Sequence, residues 1–192
     1  RRVLFRSLSA MVFIGLQSVV PNLRETIVSR VKDHQMHDLK VFSYVGIRDE
    51  DKKILEDLPG NNQIEYMTKE VFTVKNDEIS INLMTMTDSI DTGLVSKGRL
   101  PIAKDEILLD ELYLEDFGDQ IGKTVSFVNK NGSDDKKILQ EETFTIVGYG
   151  KSIDYIGKSR SGSTNSGDYF GIVMDQALIK EYPDLALVRL VA

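Results

Sequence analysis

Apolar positions along most of this chain recur with period two, and the clearest instance is Glu78 to Met84, where Ile79, Ile81 and Leu83 alternate with Ser80 and Asn82. That spacing puts one face of a strand in a core and the other against polar surroundings. Val71 to Lys75 reads as its partner, joined through a turn at Asn76-Asp77. Further strands are expected over Leu39 to Val45, Ile64 to Thr68, Glu106 to Leu109, Lys123 to Asn129, Thr143 to Val147, Tyr169 to Met174 and Leu185 to Leu190, each rich in β-branched or aromatic residues. Thr143 to Val147 pairs back on Lys123 to Asn129 after the turn signal Asn129-Lys130-Asn131-Gly132.

Helical signals are short. Asp49-Glu50-Asp51 opens one helix, its acids favoured at the amino end, and Pro59-Gly60-Asn61-Asn62 stops the chain. Glu111 to Phe117 makes a turn or two that ends at Gly118, and Gln176 to Glu181 is a third short helix. Thr87 to Pro101 reads as a loop, and Ser159 to Asp168, rich in serine and glycine, as a mobile one.

The amino-terminal stretch breaks the pattern. Leu8 to Val20 carries no charge, yet as a helix it rises only about 20 Å against a hydrocarbon core of about 30 Å. Three readings remain open: the outer half of a truncated transmembrane helix, a signal-peptide hydrophobic region, or a buried helix. Arg1 to Ser7 reads as translated adapter sequence, so its arginines assign no topology. Pro21 bends the chain. Beyond it Leu23, Ile27, Val31 and His34 recur at helical spacing, which predicts an amphipathic arm to about Met36.

Charge sharpens this division. The 192 residues include 24 basic and 30 acidic ones, but Arg1, Arg2, Arg6 and Arg24 all precede the first acid, Glu25. A basic, apolar start is thus joined to an acidic body, which argues against nucleic acid as a partner, since phosphate binding needs a basic surface. Cysteine is absent, which removes disulfides, thiolate metal sites and thiol nucleophiles.

Between Gly98 and Gly148 lies an ordered series: Gly98-Arg99-Leu100-Pro101, Asp105-Glu106-Ile107-Leu108-Leu109-Asp110, Gly122-Lys123-Thr124-Val125 and Phe144-Thr145-Ile146-Val147-Gly148. The order and spacing resemble the extracytoplasmic (periplasmic core) domain of ABC-transporter permeases of the MacB/FtsX type. The match covers about a quarter of the chain. The resemblance implies an α+β fold in two lobes: a strand-helix, porter-like lobe at 37–92 and 166–192, and an inserted β-rich lobe at 93–165. Residues 1–36 precede them as a truncated transmembrane helix and long amphipathic arm. It also implies a bacterial source, a separate cytosolic ATPase subunit, a second permease copy as a homodimer or paired permease, a peptide, lipopeptide or lipoprotein substrate, and a place in the cell membrane with the soluble part outside.

Several residues invite a catalytic or ligand reading. Gly118-Asp119-Gln120-Ile121-Gly122-Lys123-Thr124 looks like a P-loop but has three residues between its glycines where that loop needs four, and it follows a helical turn and enters a strand. His34 and His37, flanked by Asp33 and Asp38, could share a metal, but no third ligand is placed. Ser29-Arg30-Val31-Lys32 has Ser-x-x-Lys spacing, yet its lysine falls on a solvated helix face. Asp105, Glu106, Asp110, Glu111, Glu115, Asp116 and Asp119 concentrate acid without the spacing of a calcium loop. Asn131-Gly132-Ser133 is a glycosylation pattern, without meaning in a bacterium. Arg99, between a glycine and a proline turn, is expected to pair with a nearby carboxylate or cap carbonyls and so hold the loop between the lobes.

The expectation is therefore no enzyme, with no catalytic, cofactor or metal residues. The chain is read as a permease domain that passes ATP-driven motion to a substrate, and alternatively as a membrane-anchored or secreted binding or sensing module without an ABC partner. A small hydrolase would need a buried Ser, His and Asp within hydrogen-bond reach.

Overall fold

The computed structural model describes residues 21, 24, 25, 28, 29, 35–129, 138–155 and 168–191. The fold is α+β and dominated by strands. In chain order these are β1 (Leu39–Phe42), α1 (Asp49–Glu56), β2 (Asn61–Met67), β3 (Lys69–Val74), β4 (Ser80–Thr85), β5 (Leu94–Gly98), β6 (Glu106–Asp110), α2 (Glu111–Phe117), β7 (Thr124–Asn129), β8 (Thr143–Lys151), β9 (Tyr169–Val173) and β10 (Leu185–Val191). Single 3₁₀ turns follow β8 and β9, at Ile153–Tyr155 and Asp175–Ala177.

Seven strands form one sheet in the order β5-β8-β6-β9-β4-β3-β7, and β7 pairs back to β8. The ladder therefore closes: β8, β6, β9, β4, β3 and β7 make a six-stranded barrel with β5 lying along the outer edge of β8. Closure depends on the length of β8, which pairs with β7 at Thr143–Thr145, with β5 from Gly148 onward, and with β6 along its other edge. Two of the pairings are parallel, β4 with β9 and β6 with β8.

Period-two alternation fills this barrel. Phe72, Ile81, Leu83, Ile107, Leu109, Phe127, Phe144, Ile146 and Tyr149 are buried together inside it, and the Phe127 ring centroid stands 5.8 Å from that of Phe144 and 6.4 Å from that of Phe72. Each such side chain contributes about 1.5–3 kcal/mol by leaving water. The alternate residues Met84, Leu108, Phe170 and Ile172 face outward and meet Met67, Leu185 and Leu187 of a second sheet, ordered β1-β10-β2. All six residues of β4 are consequently buried, because both of its faces are covered.

The barrel draws strands from both of the spans divided near 93 and 165. β3, β4 and β9 belong to segments assigned to the porter-like lobe, yet they are barrel strands, and β9 pairs directly with β6. The three-stranded sheet and α1 lie outside the ring of barrel strands, with the sheet packed against it. Two local expectations also change. The span expected as a loop, Thr87 to Pro101, contains β5, whose residues are all exposed and so carry no buried-face signature. The helix expected at Gln176–Glu181 is a single 3₁₀ turn, because Ala177 and Ile179 bond across to Gln140 and Ile138 instead of bonding within a helix. The strand expected to reach Val45 stops at Phe42, where Ser43 Oγ bonds the Gly46 carbonyl at 2.8 Å in a tight turn.

Pro21, Arg24, Glu25, Val28 and Ser29 are helical and exposed. Gln35 and Met36 are described and are not helical; Leu8–Val20, the remaining residues of the expected arm and most of the Ser159–Asp168 loop lie outside the described residues. Among the described residues no helix is long and apolar enough to cross a membrane.

Candidate functional site

The four segments of the Gly98–Gly148 series, distant in sequence, meet at one end of the barrel. Gly98 and Gly148 face each other across β5 and β8. A Cβ on Gly98 would stand 2.3 Å from the Val147 carbonyl oxygen, and one on Gly148 would stand 2.6 Å from the Arg99 oxygen. Only glycine permits that approach, and Gly98 also has φ +79. Arg99 donates its backbone N–H to Val147 at 3.1 Å, and Thr145 donates to Asp105 at 2.7 Å. Gly122 donates to Ile146 at 2.8 Å, and Ile146 donates back to Lys123 at 2.9 Å. Every segment thus touches β8.

Arg99 and Glu106 lock the knot. The guanidinium donates in bidentate fashion, Nη1 to Oε2 at 2.7 Å and Nη2 to Oε1 at 2.5 Å, and Nη1 also reaches the Leu100 carbonyl at 3.0 Å. Glu106 Oε2 accepts the Ile102 and Ala103 amides at 2.9 and 3.3 Å, closing the turn around the buried Pro101. Hydrogen bonds from Arg99, then the amide of Ile102, pull the Glu106 carboxyl from 4.5 down to about 2. The same contact pushes the Arg99 guanidinium up. The arginine therefore does pair with a nearby carboxylate and cap a carbonyl, and both carboxylate oxygens are committed to its own loop.

The other singled-out residues do not converge. Gly118 caps α2 at φ +72, donating to the Leu114 carbonyl, and the chain passes Gly122 into β7, so the P-loop-like segment runs from helix to strand. Among the acids, Asp110 caps α2 through the Leu112 amide at 3.1 Å, Glu111 pairs with Lys151 at 2.9 Å, and Asp116 accepts the Tyr169 hydroxyl at 2.8 Å. Asp119 pairs with Lys97 at 2.7 Å. Each of these four carboxylates has its own partner, and among the described residues no three His, Asp or Glu side chains are grouped to hold a metal. Lys32, Asp33, His34 and Asn131-Gly132-Ser133 lie outside the described residues.

His37 is the exception. Its Nδ1 lies 2.5 Å from Asp91 Oδ2, and its backbone N–H donates to Asp91 Oδ1 at 2.9 Å, with both side chains nearly buried. Among the described residues it bonds no serine. Asp91 also lines a small recess with Met67, Met84, Met86, Ser152 and Asp154, of about 20 Å³, room for one water. Lys40 pairs with Asp154 at 2.5 Å on its rim. Nearby, Lys69 lies 4.9 Å over the Tyr155 ring, and burial lowers its pKa. Sequence reasoning passed over Asp91, since its partner is 54 residues away. Its only sequence signal is the run Asp88-Ser89-Ile90-Asp91, where polar turn residues flank one isoleucine.

No family model and no curated protein matches the chain. Among solved structures it is similar to the extracellular domain of the noncanonic ABC-type transporter YknZ from Gram-positive bacteria. The TM-score is 0.44 and the identity 14%, over 76% of this chain and 74% of that one.

Proposed function

We propose that this chain is the extracytoplasmic domain of an ABC-transporter permease of the MacB/FtsX type, a non-enzymatic head that passes ATP-driven motion to a peptide, lipopeptide or lipoprotein. The observation that carries the reading is the convergence of the four motif segments on β8. A series that resembles the permease pattern in order and spacing is also a single spatial unit, with Gly98 against Gly148 and Arg99 against Glu106. Its residues give their hydrogen bonds to one another, which suits a part selected for shape and stiffness.

Stiffness has a physical use. Swinging a two-state equilibrium from 1:99 to 99:1 takes about 5.5 kcal/mol of bias, and a compliant head would dissipate it. A closed barrel has no free ladder edge along which to shear. In this reading the apolar stretch Leu8–Val20 anchors the head to the membrane, a separate cytosolic ATPase supplies the work, and a second permease copy completes the assembly. The test is the reading frame around these residues. Three further hydrophobic spans after Ala192 and an adjacent ATPase gene support the proposal; a stop codon or a cell-wall anchor in their place contradicts it and favours a binding module.

A further inference from the structure

Three non-glycine residues among those described have positive φ, and two of them are bonded to each other: Asp91 (φ 53) donates its N–H to the carbonyl of Gln35 (φ 50) at 3.3 Å. The third, Asn76, sits in the β3–β4 turn, where such a conformation is ordinary. Asp91, like Asn76, tolerates the left-handed region, so the unusual member of the pair is Gln35, whose longer side chain persists there where its surroundings enforce it, as at ligand clamps and switch regions. Here the surroundings grip from both sides.

On one side is the segment 35–38, between helical Ser29 and β1. Arg189 of β10 donates Nη1 to Gln35 Oε1 at 2.6 Å, and Leu190 donates its amide to Asp38 Oδ2 at 2.8 Å. His37 gives both its amide and its ring nitrogen to the Asp91 carboxylate. On the other side, the loop that carries Asp91 is itself fixed. Ile90 is fully buried, and Glu65 of β2 accepts the Asp88 amide at 2.9 Å, the Ser89 amide at 2.8 Å and the Ser89 hydroxyl. The grip is therefore fixed on the side of the head, and its part-buried members, His37 to Asp91 and Ser89 to Glu65, are strengthened by their shielding from water, while the Arg189, Leu190 and Asp88 bonds are exposed.

We infer that residues 35–38 and the Asp91 loop form a latch that fixes the direction in which the preceding helix leaves the head, with Asp91 and His37 as its positioning residues. The inference deepens the transporter reading, in which this root is where motion enters the barrel. It also holds or fails on the isolated chain. Failure of the latch leaves the transporter proposal standing, and absence of an ATPase leaves the latch standing.

The chain has no cysteine, so nitroxides at Glu25→Cys and Lys123→Cys are the only labels, and pulsed electron paramagnetic resonance reads the distance between helix and head. Wild type gives one narrow distribution, and Asp91→Asn, which keeps an oxygen acceptor, stays close to it. Asp91→Ala and, from the other partner, His37→Ala broaden it about twofold, while the amides of 35–38 exchange about tenfold faster and those of β6 and β9 keep their protection. A distribution as narrow in both alanine variants as in wild type overturns the latch. So does a wild-type distribution already as broad, or protection lost equally across the barrel, which would make Asp91 and His37 general stability residues.

Discussion

Three glycine-to-alanine substitutions separate backbone strain from steric closure. Gly118 and Gly98 have nearly the same φ, +72 and +79, but a Cβ at Gly118 meets nothing within 4 Å, whereas one at Gly98 meets the Val147 oxygen at 2.3 Å and the Gly148 Cα at 2.7 Å. Gly118→Ala then carries only the backbone penalty of its φ +72, ψ −177 conformation, about 1–3 kcal/mol. Gly98→Ala adds to a comparable backbone penalty an overpacking term of about 1–3 kcal/mol and loosens the Arg99 to Val147 hydrogen bond, worth about 1 kcal/mol, so it costs about 2–4 kcal/mol more than Gly118→Ala. Gly148→Ala, free of the backbone penalty but facing the Arg99 nitrogen and oxygen and the Lys97 oxygen within 2.8 Å, falls between at about 2–3 kcal/mol. Urea unfolding at constant m-value reads all three. With m of about 2 kcal/mol per molar, Gly98→Ala lowers the midpoint by at least about 1 M more than Gly118→Ala does. Equal midpoints for those two variants would refute the claim that β5 and β8 are in forced contact at the knot.

Other outcomes follow from the same geometry. The Glu106 carboxyl is held below its ordinary value, so its contribution is complete above pH 4.5 and disappears as pH falls toward 2. Glu106→Gln should cost about 1–2 kcal/mol at pH 6, after discounting for the half-exposed arginine, and the gap from wild type should close near pH 2.5 in acid-unfolding curves. Lys180 bonds Glu70 at 2.8 Å and Asp184 at 2.8 Å; burial depresses its pKa, but the two carboxylates outweigh that and raise it. Lys180→Met leaves the nearly buried Asp184 carboxylate without this partner and should lower stability by about 2 kcal/mol in thermal unfolding. Leu109→Ala, inside the barrel, should cost about 2–5 kcal/mol, and Ile102→Ala, 74% exposed, within about 0.5 kcal/mol of nothing.

Where the determinant is local, the chain shows its structure openly. Asp110 and Gly118 bracket α2 because a side-chain cap and a left-handed glycine each act within a few residues. Ile81 and Leu83 announce a buried face of β4, and Asn76 its turn, for the same reason. The pairing of Arg99 with a carboxylate was legible too, since Glu106 is seven residues away. Long-range pairing was not. Nothing in Thr143–Lys151 says that three strands share β8, and the parallel match of β4 to β9 joins segments 88 residues apart. β5 escaped because an exposed edge strand buries no face and leaves no alternation to find. The His37–Asp91 contact escaped because each residue by itself resembles an ordinary surface polar residue.

In the proposed reading this head is a stiff part moved by an ATPase across the membrane. Its most direct test uses the full-length protein expressed with the ATPase encoded beside it and reconstituted in lipid, with nitroxides at Glu25→Cys and Lys123→Cys and a third label on the ATPase-facing side. The account predicts that vanadate trapping with ATP shifts the position of the head relative to the membrane while the Glu25 to Lys123 distance stays narrow. A head that keeps one position through the ATP cycle, or a permease that recruits no ATPase, would contradict it.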